Sequence, residues 1–167
     1  WAHFAPDPVE SRRVNPVATP GGRGLGVVLA GRESRRSLPV PVLAEVVRTA
    51  FGAMGGPPVF LLGSAAEKPA ARQLMRQLPA KILPAVQDLS GKTDWPALVD
   101  AVDGLDALIT PDTGIMHLGA HLGVPVLARL PIDSKTARLV DQGAVELADD
   151  KSIAPVADFL ERTFPKA

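Results

Sequence analysis

Short apolar runs and amphipathic stretches alternate along this chain from Gly26 to Phe164, and that rhythm limits the possible folds more than any other feature. The runs Gly26–Ala30, Val59–Gly63, Ile82–Val86, Ala107–Thr110 and Val124–Leu130 lack strict polar alternation, as strands buried on both faces do, and the short Val145–Leu147 reads as a further strand. Between and after them, Pro41–Ala53, Ala65–Leu78, Trp95–Val102, the segment after Asp112, the segment from Ser134 and Ile153–Phe164 read as helices. Strand and helix in turn predict an α/β fold: a doubly wound, Rossmann-like parallel sheet with helices on both faces and right-handed crossovers. At 167 residues the chain has room for one such core. Residues 1–24, broken by Pro6, Pro8, Pro16 and Pro20, read as a linker or interdomain strap, and residues 25–167 as the domain.

A sheet of this kind takes ligands beyond the carboxyl ends of its strands. Four loops lie there: Gly31–Pro39, Gly63–Lys68, Asp88–Asp94 and Pro111–His117. The last joins a buried strand to a helix. Asp112 stands where a helix N-cap is expected, Thr113 offers a hydroxyl, Gly114 admits a ligand close to the backbone, and the first helical amides favour an anion. His117 lies one turn further in, within reach of the same anion. The first loop, Gly31-Arg-Glu-Ser-Arg-Arg-Ser-Leu-Pro39, groups three arginines, whose planar guanidinium groups suit phosphoryl oxygens. Each feature also has a bland reading. The arginines serve as a solvated loop, Glu67 as decoration of a first helical turn, Asp94 as an N-cap with Pro96 early in its helix, and His117 as a surface histidine. His117 and His121 share a helix face, but no glutamate lies near them in that helix and the chain has no cysteine, so no metal is expected.

Composition removes other classes. Zero formal net charge, the absence of tyrosine and 4% aromatic content leave neither the basic field nor the stacking surface of a typical nucleic-acid binder. No apolar run reaches the roughly 18–20 residues of a membrane span, and no signal peptide opens the chain. Lack of cysteine fits a cytoplasmic location, one peripheral to the inner membrane face included. Pro20-Gly-Gly-Arg-Gly-Leu-Gly26 precedes the first strand instead of following it, so it is no dinucleotide fingerprint, and neither a Gly-x-Ser-x-Gly elbow nor a Walker loop occurs. The chain opens on Trp1 instead of Met and ends soon after its last helix, which is expected of a piece of something longer.

Asp112-Thr-Gly-Ile-Met-His-Leu-Gly-Ala120, followed by Gly123-Val-Pro125, resembles the donor-site signature of glycosyltransferase family nine, the heptosyltransferase group. The likeness holds in chain order from Gly26 to about Leu130. It implies the C-terminal, donor-binding half of a two-domain GT-B enzyme that transfers a heptose-like sugar, with inversion, from a nucleotide diphosphate to a lipopolysaccharide-core or other glycan or lipid acceptor. By the same likeness Arg36, or its neighbour Arg35, would hold the diphosphate with Thr113, Gly114 and His117, although Leu38 stands where the family has an aromatic. Glu67 would meet the ribose hydroxyls. The stretch Asp88–Asp94, similar to the family's Leu-x-Gly-(Lys/Thr)-x-x-Leu, would put Lys92 and Thr93 beside the base. Asp112 would fix the turn and touch the sugar. The loop after Leu130, Pro-Ile-Asp-Ser-Lys, keeps only Asp133 and Ser134 of the family's version. The nucleotide sugar enters as donor substrate, with no cofactor. The catalytic base is unknown in these residues, since in the family it lies on the N-terminal, acceptor-binding domain that this chain lacks. Two rivals stand beside this reading, a noncatalytic binding or interaction module and an epimerase-type enzyme acting on nucleotide sugars, because fold alone does not fix reaction.

Overall fold

A computed structural model describes residues 24–30, 38–54, 58–111, 113–130, 145–149 and 153–164. Within them the chain runs β1 (Leu25–Val28), α1 (Val40–Met54), β2 (Val59–Leu62), α2 (Lys68–Arg76), β3 (Val86–Asp88), α3 (Trp95–Asp103), β4 (Ala107–Thr110), α4 (Gly114–His121), β5 (Val126–Leu130), β6 (Val145–Asp149) and α5 (Ala154–Thr163). The strands form one parallel sheet in the order β3-β2-β1-β4-β5-β6. The expected doubly wound α/β fold is the observed one.

Alternation along the strands makes two cores. Leu25, Val27, Val59, Leu61, Ala107, Ile109 and Leu127 face α1, α2 and α5, with Leu43, Val47, Leu74 and Leu160 packed on them. Val28, Phe60, Leu62, Leu108, Val126 and Ala128 face α3 and α4, against Val102, Leu105 and Met116. Successive strand residues point to opposite faces, so both sides of each strand must be apolar and the runs show no polar alternation. Helix α4 lies close on the sheet: a Cβ added to Gly119 would stand 2.7 Å from Leu108 Cδ2 and 3.0 Å from Val126 Cγ2. The helix ends through Gly123, whose φ of 75° provides the left-handed turn that glycine adopts without a steric penalty.

Three of the expected boundaries move at a proline. The strand expected over Ile82–Val86 is instead Val86–Asp88, after a 3-10 turn at Leu83–Ala85, because Pro84 has no N–H for the ladder. Ile82 is apolar because it is buried in the core beneath α2. The helix expected over Ala65–Leu78 divides into a 3-10 turn, Ala65–Glu67, and α2, with Pro69 in its first turn. Strand β5 begins after Pro125, whose carbonyl still accepts the Leu108 amide at 2.9 Å. The linker through residue 23, the arginine loop, Asp112, the loop at Asp133 and Ser134, and the helix expected from Ser134 lie outside the described residues.

Gly26 sits mid-strand in β1, where an added Cβ would come within 2.5 Å of Leu105 Cδ1 and 2.9 Å of Leu108 Cδ1. Gly26→Ala is expected to overpack this face and lower stability by about 1–3 kcal/mol, read as a lower urea midpoint at unchanged slope.

Candidate functional site

The strand order reverses between β1 and β4, which pair directly, and the helices that follow them, α1 and α4, pack on opposite faces, so the switch-point crevice at which such sheets take ligands is expected at this carboxyl rim. On the β4 side the crevice is built by two threonines. The Thr110 side chain is fully buried, and its Oγ1 donates to the Pro111 carbonyl at 2.8 Å. Thr113, in extended conformation, is the N-cap of α4: its Oγ1 accepts the amides of Ile115 at 3.1 Å and Met116 at 3.4 Å. Asp112 was the residue expected at this cap; Thr113 occupies the cap instead, because the helix begins one residue later, at Gly114.

This geometry commits the Thr113 hydroxyl. It lies 3.3 Å from Thr110 Oγ1, whose own proton goes to Pro111, so the proton of this contact comes from Thr113. Two bonds accepted and one donated exhaust a hydroxyl. Thr113 therefore shapes the turn, and the first helical amide, that of Gly114, is the one the cap leaves unclaimed. Around Gly114 there is open space, with no atom within 4 Å of an added Cβ. His117 is exposed one turn into the helix, and a helical side chain covers the turn N-terminal to its own Cα, which here is Thr113–Gly114. His121 is exposed one turn further from the rim, and among the described residues no group of three or more His, Cys, Asp or Glu is placed to hold a metal.

The loops after β2 and β3 form a second, continuous piece of the rim. Beyond the last ladder pair, Leu89 N–H donates to Leu61 O and Gly91 N–H to Gly63 O, both at 2.9 Å, so the two loops run side by side. Gly91 has φ 63°, and a Cβ there would stand 2.7 Å from Ala65 Cα and 2.8 Å from Lys68 Cε, so conformation and space both require glycine. In the neighbouring turn, the Ser64 N–H and hydroxyl both donate to Glu67 Oε2 while Ser64 Oγ accepts the Ala66 amide, a capping box. On the β3 side Ser90, fully buried, donates through N–H and hydroxyl to Asp88 Oδ1, and Lys92 Nζ donates to the Asp88 carbonyl at 2.7 Å. Asp94 caps α3 by accepting the Ala97 amide at 2.9 Å, as expected.

Two groups of candidate residues result. Thr113, Gly114 and His117 stand at the start of α4; Glu67, Lys92 and Thr93 lie on the joined loops; Arg36 and Asp112 lie outside the described residues. The supporting residues Thr110, Ser64, Asp88, Ser90 and Gly91 were not singled out by sequence. The Ser64-x-x-Glu67 spacing was the available signal for one of them; a buried hydroxyl such as that of Thr110 has none.

Comparison with known proteins bears on what this rim belongs to. The sequence profile described as Glycosyltransferase family 9 (heptosyltransferase) matches residues 46–129, half of the chain. The chain belongs to this family. Seven of the eight candidate residues fall inside the matched span, Arg36 preceding it. A 70-residue stretch is 33% identical to lipooligosaccharide heptosyltransferase 2 of Haemophilus influenzae, covering 42% of this chain and 20% of that protein. Among solved structures, ADP-heptose lps heptosyltransferase II of E. coli superposes with a TM-score of 0.75 at 21% identity, over 87% of this chain and 47% of its own. E. coli heptosyltransferase WaaC, solved with ADP-2-deoxy-2-fluoro heptose, gives 0.64 at 18% identity, over 85% of this chain and 44% of its own. The family's members found here are thus glycosyltransferases of which this chain spans less than half.

The cap makes a test of the turn that is independent of activity. Thr113→Val should cost about 1 kcal/mol, as loss of an N-cap does, whereas Thr113→Ser should stay within a few tenths; urea midpoints of the two variants check it.

Proposed function

We propose that this chain is the donor-binding domain of an inverting glycosyltransferase, holding a nucleotide diphosphate heptose or a similar sugar for transfer to a lipopolysaccharide-core or other glycan acceptor. The observation that carries the reading is the start of α4: a pre-shaped turn at the strand-order reversal, with the Gly114 amide unclaimed and His117 above it, inside the family match. A helix N-terminus of this form favours a diphosphate by its amide and its dipole. Arg36, assigned to the diphosphate by the family likeness alone, would add a fixed positive charge. Glu67 has one carboxylate oxygen in the capping box, which leaves Oε1 for ribose hydroxyls. Lys92 and Thr93 follow Gly91 along the rim, on the side of the base.

In the proposed reaction the bond from the anomeric carbon to the diphosphate breaks as an acceptor hydroxyl oxygen attacks from the opposite face, and its proton passes to a base on the N-terminal domain. What this chain supplies is position and charge. The leaving diphosphate gains negative charge, which the Gly114 amide and His117 would meet from positions set before the reaction starts, with Arg36 assigned to the same charge by the family likeness. The role assigns these groups the work without a metal, and the donor is a substrate instead of a cofactor. Among the described residues no helix is long and apolar enough to cross a membrane, and we place the protein in the cytoplasm, at most peripheral to the inner membrane face where a lipid-linked acceptor is found. The family match favours neither rival reading, the binding module or the epimerase.

Calorimetric titration with ADP, UDP, GDP and CDP and their sugar forms tests the proposal. One base form should bind saturably, and Arg36→Ala and His117→Ala should each weaken it by about tenfold or more, as loss of a hydrogen bond to a charged group does. Equal affinity in both variants would sink the assignment of the diphosphate to this turn. The chain alone should bind without turnover; sugar transfer by it at the rate of a two-domain relative would refute the placement of the base.

A further inference from the structure

The apolar stripe of α3 continues past the end of the core. Leu98 and Val102 lie on the face that packs toward the sheet and α4, and Trp95 precedes them by three and seven positions, which puts it on the same face. Val99 and Val102 are 3% and 0% exposed, yet Trp95 is 59% exposed, the one large apolar side chain left in solvent among the described residues. Position explains the difference. Trp95 is the first residue of α3, at the carboxyl rim, and its side chain leans toward the helix N-terminus, beyond the strands that would have covered it.

The register of α3 against α4 locates what it faces. A Cβ on Gly119 would stand 3.9 Å from Val102 Cγ1, so these turns of the two helices are opposite one another. Both helices follow strands of the same parallel sheet and pack on the same face, so they run in the same direction. About 10 Å back from that pair at 1.5 Å per residue lie Trp95, the first residue of α3, and Thr113, the N-cap of α4. Asp94, which caps α3, and Pro96, which follows Trp95, restrict the backbone on either side.

We infer that Trp95 is the stacking platform for the base of the nucleotide, a specificity-determining residue at the rim; this rests on the donor-binding reading above. Of the parts of a nucleotide sugar, only the base presents a flat π surface to an indole, while the diphosphate and the hydroxyls gain nothing from one. Of the other described Phe side chains, Phe60 and Phe159 are buried in the two cores, and Phe51 and Phe164 are partly buried against the first.

Trp1 and Trp95 are the only tryptophans, so a Trp1→Phe background isolates the emission of Trp95. In it, the nucleoside diphosphate that binds by calorimetry should change Trp95 emission saturably at the same Kd, and inorganic pyrophosphate should leave the emission unchanged. Trp95→Leu should weaken that nucleotide by about tenfold or more with pyrophosphate affinity unaltered, and Trp95→Phe should restore most of the loss. A nucleotide bound with silent emission and unaltered affinity in Trp95→Leu overturns the platform but leaves the donor site standing, as does equal weakening of pyrophosphate. Failure of every nucleotide to bind the chain, folded by circular dichroism, overturns both.

Discussion

Parallel strands cannot be joined at the end where the first one stops; the chain must return across the sheet before it can begin the next. Everything in this domain depends on that return. It sends every strand out at one rim, so loops far apart in sequence, such as Gly63–Lys68 and Pro111–Gly114, assemble along one edge. Because each return is right-handed, helices that extend the sheet in opposite directions from β1 cover opposite faces, and the crevice between β1 and β4 follows. No residue was needed to carve it. Residues were needed to hold its lips in shape, and there the sequence becomes specific.

Two devices hold the rim, and both act through the backbone. At the start of α4, Thr110 and Thr113 form a chain of hydroxyl bonds ending on the Pro111 carbonyl, which fixes the turn and orients the first amide outward. On the other side, Gly91 lies against Ala65, in contact that any side chain would break, and its amide is joined to Gly63. Groups assigned to ligand contact are thus seated on elements whose shape is settled by folding. The ordering entropy of these turns is spent before a ligand arrives, which is what pre-organisation means physically.

Most of the fold was legible in the sequence because burial on both faces leaves a plain mark: Leu25–Val28, Val59–Leu62 and Ala107–Thr110 are almost wholly apolar. Where two causes produce the same mark, reading failed. Ile82 and Leu83 are apolar because they pack beneath and beside α2, and only Pro84 separates that from a strand. At the site, the Asp94 cap was legible from Asp-Trp-Pro, whereas Asp112 and Thr113 are both good cap residues and adjacent, so composition alone could not decide between them. What distinguishes Thr113 is its nearness to the buried Thr110 hydroxyl, a relation between strand and helix that local pattern does not carry. The bland and functional readings of Glu67 proved compatible, since one carboxylate oxygen closes the capping box.

The 3-10 turn at Leu83–Ala85 has an effect away from the rim. It leaves β3, an outermost strand of the described sheet, only three residues long, with Pro84 two residues upstream and without an N–H to offer. An exposed strand edge is a template on which another chain can add a strand, and its hazard grows with the length of unpaired backbone. Here that length is short, so the proline that displaced the expected strand also makes this edge of the sheet a poor template for edge-to-edge pairing.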